Sequence, residues 1–172
     1  MDISAIILSL YPSAVPLADF TVVAPYGSPP QITKWNSAKL GPQPTLAQLE
    51  AAWPTAQLQQ AQTAQRALIK QSFTAAANAN VTDSNGITWE GGMASGNSIF
   101  LACQLAQQTN QSNITLYDVA KTPHSMTIAE GLAVAALIGE AYQKALGTKN
   151  SQYANIDAAS TVSAVQKVTW PA

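Results

Sequence analysis

Three observations predict an α+β fold for this chain of 172 residues. Two capping-box signatures, Thr45 with Gln48 and Thr127 with Glu130, each stand before apolar residues at helical spacing. Short runs of β-branched and aromatic residues are bounded by proline, glycine and asparagine, the pattern of strands joined by tight turns. Composition also changes twice, dividing the chain into a Pro- and aromatic-rich zone over 1–54, an Ala/Gln-rich zone over 55–80 and a mixed zone over 81–172. The expected organisation is a small N-terminal helix/hairpin unit, a connecting helix, and a C-terminal α+β module with hairpins and one long helix.

In the first zone, Asp2 caps a short amphipathic helix with Ile3, Ile6, Ile7 and Leu10 on one face. Phe20 to Val23 and Gln31 to Trp35 read as strands joined through Pro25-Tyr26-Gly27-Ser28-Pro29-Pro30. Pro42 and Pro44 stiffen the turn that follows, because each lacks an N–H and pushes the residue before it toward extended geometry. Thr45 then opens a helix carrying Leu46, Leu49 and Trp53. Pro54 either kinks that helix or occupies the first turn of a new one.

From Thr55 to Ala79 almost no helix breaker occurs, and Leu58, Ala61, Gln65, Leu68, Ile69 and Phe73 give a thin apolar stripe. The glutamines from Gln57 to Gln71 suit either a solvated face or a helical seam.

The third zone opens on Asn85-Gly86 between β-branched residues, a strong short hairpin signal over Val81 to Trp89. A helix is expected from Ser95 or Ser98 to Gln108, burying Ile99, Ala102, Cys103 and Ala106. Ile114 to Asp118 alternates as a strand, and Thr122 to Thr127 returns beside it. Thr127 and Glu130 start a helix with Leu132, Ala135, Ile138, Tyr142 and Ala145 on one face, running through Gly147 toward Ala158. Ser160 is placed to cap a last short helix holding Val162, Val165 and Val168.

Composition limits the function. Charged residues make up 10% of the chain and the formal net charge is −1, while hydrophobic residues reach 47%. Long-range steering of an ionic partner is therefore not expected, and packing into a larger assembly is tolerated. The basic stripe of a nucleic-acid binder is missing. One cysteine, Cys103, rules out an intrachain disulfide. Met1 to Leu10 has an acidic flank where a signal peptide needs positive charge, and Gly131 to Gly139 is too short to span a bilayer. The expectation is a soluble cytosolic protein without a membrane partner.

The polar residues form no recognisable catalytic pattern. His124, the single histidine, follows Pro123 and reads as a polar loop residue with no nucleophile motif near it. One cysteine and one histidine do not make a zinc site, and Gly91-Gly92 and Gly96 lack phosphate-loop spacing. The carboxylates Asp83, Glu90, Asp118, Glu130, Glu140 and Asp157 fit caps and solvated turns. No enzyme activity, cofactor or metal is expected. Aromatic residues carry the functional reading: Trp53, Trp89 and Trp170 suit core packing, whereas Tyr11, Pro12, Tyr26 and Trp35 flank loops as anchors for another protein. With Leu40 at the proline turn, these are the candidate partner-binding residues.

The order Leu10-Tyr11-Pro12-Ser13-Ala14-Val15-Pro16, Asp19-Phe20, a strand ending Trp35-Asn36, then Leu40-Gly41-Pro42-Gln43-Pro44-Thr45 and a Leu/Glu helix resembles the small XkdW-like tail proteins of bacteriophages and defective prophages. The third zone has Gly86-Ile87-Thr88-Trp89, Ser95 and Ser98, an apolar helix, a strand pair, Met126 to Glu130 and a closing Ile156-Asp157-Ala158-Ala159-Ser160-Thr161. It is similar to a C-terminal module of unassigned function found in phage tail fibre and tail fibre assembly proteins. Gln stands at many exposed helical positions where that module has Glu or Lys, and Thr88-Trp89-Glu90-Gly91-Gly92 replaces an aromatic-Gln-Ala-Asp run. The resemblances imply a non-enzymatic phage tail protein, a tail fibre chaperone or assembly protein that binds the fibre, either leaving after assembly or retained in the virion tail. The alternative is a structural baseplate or fibre-tip component used in host receptor attachment. Implied partners are the tail fibre protein, baseplate proteins and further copies within the tail assembly. The implied location is the host cytoplasm during assembly and, if retained, the virion tail.

Overall fold

The structure, a computed structural model, describes residues 1–171. The elements in order are α1 (Ile3–Leu10), β1 (Phe20–Val23), β2 (Gln31–Trp35), α2 (Ser37–Leu40), α3 (Leu46–Ala77), β3 (Val81–Thr82), β4 (Thr88–Trp89), α4 (Met93–Gln108), β5 (Asn113–Tyr117), β6 (Pro123–Thr127), α5 (Ile128–Ala158) and α6 (Val162–Gln166). The strands form three separate antiparallel pairs, β1 with β2, β3 with β4 and β5 with β6. The predicted α+β class holds, with hairpins and long helices.

The chain forms two compact units. Unit 1 contains Met1–Arg66 and Ile156–Val168, and unit 2 contains Ala67–Asn155 with the described end of the chain. Sequence composition divides the chain at 54 and 80 and keeps 81–172 together. In the structure the division falls inside α3, at Arg66, and a late segment packs with the first unit.

In unit 1, Asp2 accepts a hydrogen bond from the Ala5 N–H at 3.1 Å, so α1 starts where its cap predicts. Ile3, Ile6 and Ile7 turn one face of α1 into a core shared with Phe20, Leu40, Leu49 and Ala56. Tyr11, Trp35 and Trp53 pack around that core. β1 meets β2 with Phe20 opposite Trp35, and an irregularity between Thr21 and Val22 lets Val22 face Ile32. The Thr45 capping box forms in both directions: the Gln48 N–H donates to Thr45 Oγ1 at 3.3 Å, and the Thr45 N–H donates to Gln48 Oε1 at 2.8 Å. Pro54 does not open a new helix, because it lies inside one continuous helix of 32 residues. Pro54 and Glu50 are both exposed, so the Glu50 carbonyl that loses its helical donor faces water.

The glutamine stripe also has a use that local pattern did not reveal. Gln62 Nε2 donates to the Ile156 carbonyl at 3.2 Å, and Gln65 Nε2 donates to the Val168 carbonyl at 2.6 Å. Arg66 pairs with Asp157. These bonds hold the late segment, in which Ile156 and Val165 are wholly buried. Thr161, rather than Ser160, caps α6, accepting from the Ala164 N–H at 3.1 Å.

In unit 2, Trp89, Leu116, Val134 and Ile138 form the core, with Val81, Ile87, Ile99, Ile114 and Met126 around it. The second capping box forms as predicted, with the Thr127 N–H donating to Glu130 Oε2 at 2.7 Å. α4 begins at Met93, earlier than either serine, after Gly92 at φ +93°. Ser98 is interior to the helix because its hydroxyl bonds back to the Ala94 carbonyl at 2.9 Å instead of capping. The inner face of α4 is narrow, made of Gly96, Cys103 and Ala106, so Ala102 is exposed rather than buried. A Cβ on Gly131 would stand 2.8 Å from the Cys103 sulfur, so glycine is what lets α5 approach this face. Gly91 has a similar reason: its Cβ would lie 1.8 Å from the Ala79 carbonyl oxygen.

Candidate functional site

The unit 1 surface is organised by Asp19, a residue 5% exposed. Its carboxylate accepts from the Val15 N–H at 2.8 Å, from Asn36 Nδ2 at 3.1 Å and from Lys39 Nζ at 2.6 Å. Its carbonyl accepts from the Asn36 N–H at 2.7 Å. One side chain thus ties the loop before β1 to the end of β2 and to α2. The Lys39 bond, followed by the Val15 N–H, holds the carboxyl below the usual aspartate value of 3.8.

Around this hub, Tyr11 and Trp35 are half-buried and touch edge to face, with ring centroids 5.3 Å apart. Trp35 Nε1 donates to the Gly41 carbonyl at 2.8 Å, anchoring the chain just before the Pro42-Gln43-Pro44 bend. Between the end of α1, that bend and the start of α3 lies a groove of about 680 Å³, lined by Leu10, Tyr11, Pro42, Pro44, Gln48 and Ala52 among others. Tyr11 therefore reaches the groove, and Trp35 supports it from behind. Pro12 is exposed beside Tyr11, and Tyr26 is fully exposed in the turn between the strands. Leu40 is buried in the core, where it holds the proline bend in place.

Leu17 was not singled out from sequence. It sits at φ +67°, a conformation costly for a leucine, with its side chain 76% exposed. The strained turn is held by the Leu17 N–H donating to the Phe20 carbonyl at 2.8 Å and by Lys34 Nζ donating to the Leu17 carbonyl at 2.8 Å. Val15 and Val23 are also exposed. The only sequence signal was the preceding proline.

Unit 2 contains a device used twice. Asp83 accepts from the Ile87 N–H at 3.0 Å and from Trp89 Nε1 at 2.9 Å; Asp118 accepts from the Thr122 N–H at 2.8 Å and bonds His124 Nε2 at 3.0 Å. In each turn the third residue after the aspartate has positive φ, Gly86 at +80° and Lys121 at +65°. The ring-bearing residue stands six positions after the aspartate in both. The two rings then meet edge to face, with centroids 5.5 Å apart, and the Val119 N–H donates to the Thr88 carbonyl at 3.1 Å. His124 is thus a paired strand residue in β6, not the polar loop histidine expected. Both carboxyls lie below the usual aspartate value, Asp83 chiefly through the Trp89 bond and Asp118 chiefly through His124. The two carboxylates, the Trp89 indole N–H and His124 Nε2 are thus bonded to one another or to backbone groups, and these bonds brace the two turns. Beside it a groove of about 670 Å³ runs past Asp83, His124, Glu130 and Leu137.

Among the described residues no group of three or more metal-ligating side chains occurs. Burial pushes the Cys103 thiol upward, away from the thiolate a nucleophile needs. No helix among the described residues is long and apolar enough to cross a membrane.

A family model described as XkdW protein matches residues 3–61. The first third of this chain is similar to XkdW, a phage protein family. No curated protein and no solved structure matches the chain. The XkdW-like span lies within unit 1 and runs from α1 into α3. It includes the Asp19 hub, the Tyr11–Trp35 pair, the groove and Leu17. A phage association for the protein follows from that match.

Proposed function

We propose that the protein is a non-enzymatic phage tail protein that binds a tail fibre, assists its assembly and stays with it in the tail. The observation that carries this reading is the coincidence of the XkdW-like span with unit 1, whose surface offers an aromatic and proline groove and exposed Leu17 and Tyr26. Rigid aromatic and proline side chains lose little entropy on binding, and a surface poor in charge has little to desolvate. The resemblance of the third zone to a module of tail fibre and fibre assembly proteins points to the same partner.

The test combines pull-down by the tail fibre protein with mass spectrometry of purified particles. Tyr26→Ala and Leu17→Ser leave the core untouched, and loss of a well-buried anchor should weaken fibre binding by about 2 kcal/mol. Tyr11→Ala should weaken it too, with folding verified by circular dichroism. Absence of fibre binding by the parent protein refutes the proposal. Presence in particles without fibre binding would support a baseplate or fibre-tip component instead.

A further inference from the structure

The groove beside the Asp83 and Asp118 turns is walled by strand edges. Side chains alternate along a strand, so a groove lying on a face meets every second residue, whereas one running along an edge meets consecutive residues. This groove meets runs of consecutive residues on both sides, Pro123 to Met126 of β6 and Thr82 to Asn85 of β3 and its turn. Hydrogen bonds fix which backbone groups aim into it. The Asp118 N–H donates to the Thr122 carbonyl at 3.1 Å, so in the alternating ladder of β5 and β6 the bonded pairs are Leu116 with His124 and Ile114 with Met126. Ser125, opposite Thr115, therefore turns its N–H and carbonyl away from β5. On the other wall the Asp83 N–H donates to the Ile87 carbonyl at 3.0 Å, so the backbone groups of Thr82 turn away from β4 while its hydroxyl meets that of Thr88 at 3.0 Å.

What the edge offers decides what it takes. Pro123 has no N–H, and the Thr127 N–H donates to Glu130 at 2.7 Å, so β6 presents the Ser125 N–H and the carbonyls of Pro123 and Ser125. One donor and two acceptors at strand spacing match the backbone of a second strand, whereas a helix spends its N–H groups on itself. The floor is apolar, made by Ala133, Val134 and Leu137 on one face of α5 together with Met126 and Ile87. The carboxylates in the lining are Asp83 and Glu130, and no lysine or arginine accompanies them. Both carboxyls are held below their ordinary values, Asp83 chiefly by the Trp89 bond and Glu130 chiefly by the Thr127 N–H, so both are ionised at neutral pH. We propose that this groove is a peptide-binding site, in which an extended segment of a partner protein, alternating apolar residues with lysine or arginine, adds as a strand to the outer edge of β6. Apolar side chains on one face of the added strand rest on α5, and the negative groove favours cations on the segment. The site is built wholly from unit 2 and goes beyond the unit 1 surface to which the fibre reading is tied.

The test is an amide-resolved NMR titration of the isotope-labelled full chain with the acetylated and amidated peptide Val-Lys-Val-Lys-Val. The Ser125 amide should shift and approach saturation by about 1 mM, the affinity class of a short strand with few hydrogen bonds. The same peptide N-methylated on every backbone nitrogen keeps its side chains but has no N–H, and should bind at least about tenfold more weakly. Val-Glu-Val-Glu-Val should lose a similar factor, about tenfold, through repulsion by the two carboxylates. Ser125→Pro removes the free N–H of the edge without touching the bonds to β5, and Leu137→Lys sets a cation in the floor; each should weaken the lysine peptide at least about fivefold with helix content unchanged by circular dichroism. Leu137→Lys serves alone if the proline variant does not fold. A Ser125 amide that does not move, binding undiminished by N-methylation, or a folded Leu137→Lys that binds as the parent does would each overturn the proposal. So would a Ser125 shift produced by the neutral glycan maltohexaose and not by the peptide.

Discussion

Aspartates 19, 83 and 118 do the same work in three places: each carboxylate gathers backbone and side-chain donors and so reinforces a turn. Their role sets an acid dependence. Each has a folded pKa below 3.8, so each binds protons more weakly when folded. The stability this adds is complete above the ordinary aspartate value and is lost as pH falls through the lowered folded value. For Asp19→Asn, urea unfolding should show the largest deficit against the parent at neutral pH, with the gap closing as pH falls below the ordinary aspartate value of 3.8. A deficit that grew on acidification would contradict the sign. Asp83→Ala removes the acceptor for three donors, including a buried indole, and should cost about 2 kcal/mol in the same measurement. Part of this was legible: Asp19-Phe20 stood out beside Tyr11-Pro12, and Tyr11 with Trp35 were expected at a loop boundary. The twin turns were not, because Asp83 and Asp118 look like ordinary turn residues until an indole or imidazole N–H is sought six positions on. Leu17 gave no signal beyond the preceding proline, since its backbone conformation is imposed by bonds to Phe20 and Lys34.

Elements were read best where their ends are chemically marked. Both capping boxes formed, and Asp2 capped α1, because a side chain three residues away decides the helix start. α4 lacked such a mark; Gly92 starts it by backbone conformation alone, so the visible serines misdirected the boundary. α2 is a single turn capped by Asn36, which accepts from the Lys39 N–H at 3.3 Å, and its four residues are too few for periodicity to detect. Pro54 shows the limit of a local rule, since tertiary packing carries the helix through a residue that ordinarily ends one. That accommodation has a measurable cost. Pro54→Ala restores an N–H opposite the Glu50 carbonyl at an exposed site and should stabilise the protein by about 1 kcal/mol or more in thermal unfolding. An unchanged or lower midpoint would mean that the proline stabilises through the unfolded chain more than it costs in the helix.

On the scale of the whole molecule, unit 1 is discontinuous in sequence. Ile156 and Val165 are wholly buried, and the Ile156 and Val168 carbonyls accept from Gln62 and Gln65. Composition could not foresee this, because contacts between residues nearly a hundred positions apart leave no period in the sequence. A chain ended at Asn155 should lose about 3 kcal/mol or more of apolar burial from these two side chains. Hydrogen exchange should then speed up in α1 and the β1–β2 pair more than in β5–β6; protection of α1 equal to the parent's would refute this dependence. The same discontinuity sets a timetable for synthesis. The ribosome releases residues 1–66 early, yet the segment that completes their unit follows about 100 residues later, on the order of 5–20 s at ordinary translation speeds. The usual N-to-C order of folding is therefore inverted: residues 67–155 emerge as a set before the older part of the chain has its full complement. For that interval the nascent N-terminal part is an unfinished body with uncovered apolar side chains, and it is then that capture by a holdase or a neighbouring nascent chain competes with folding.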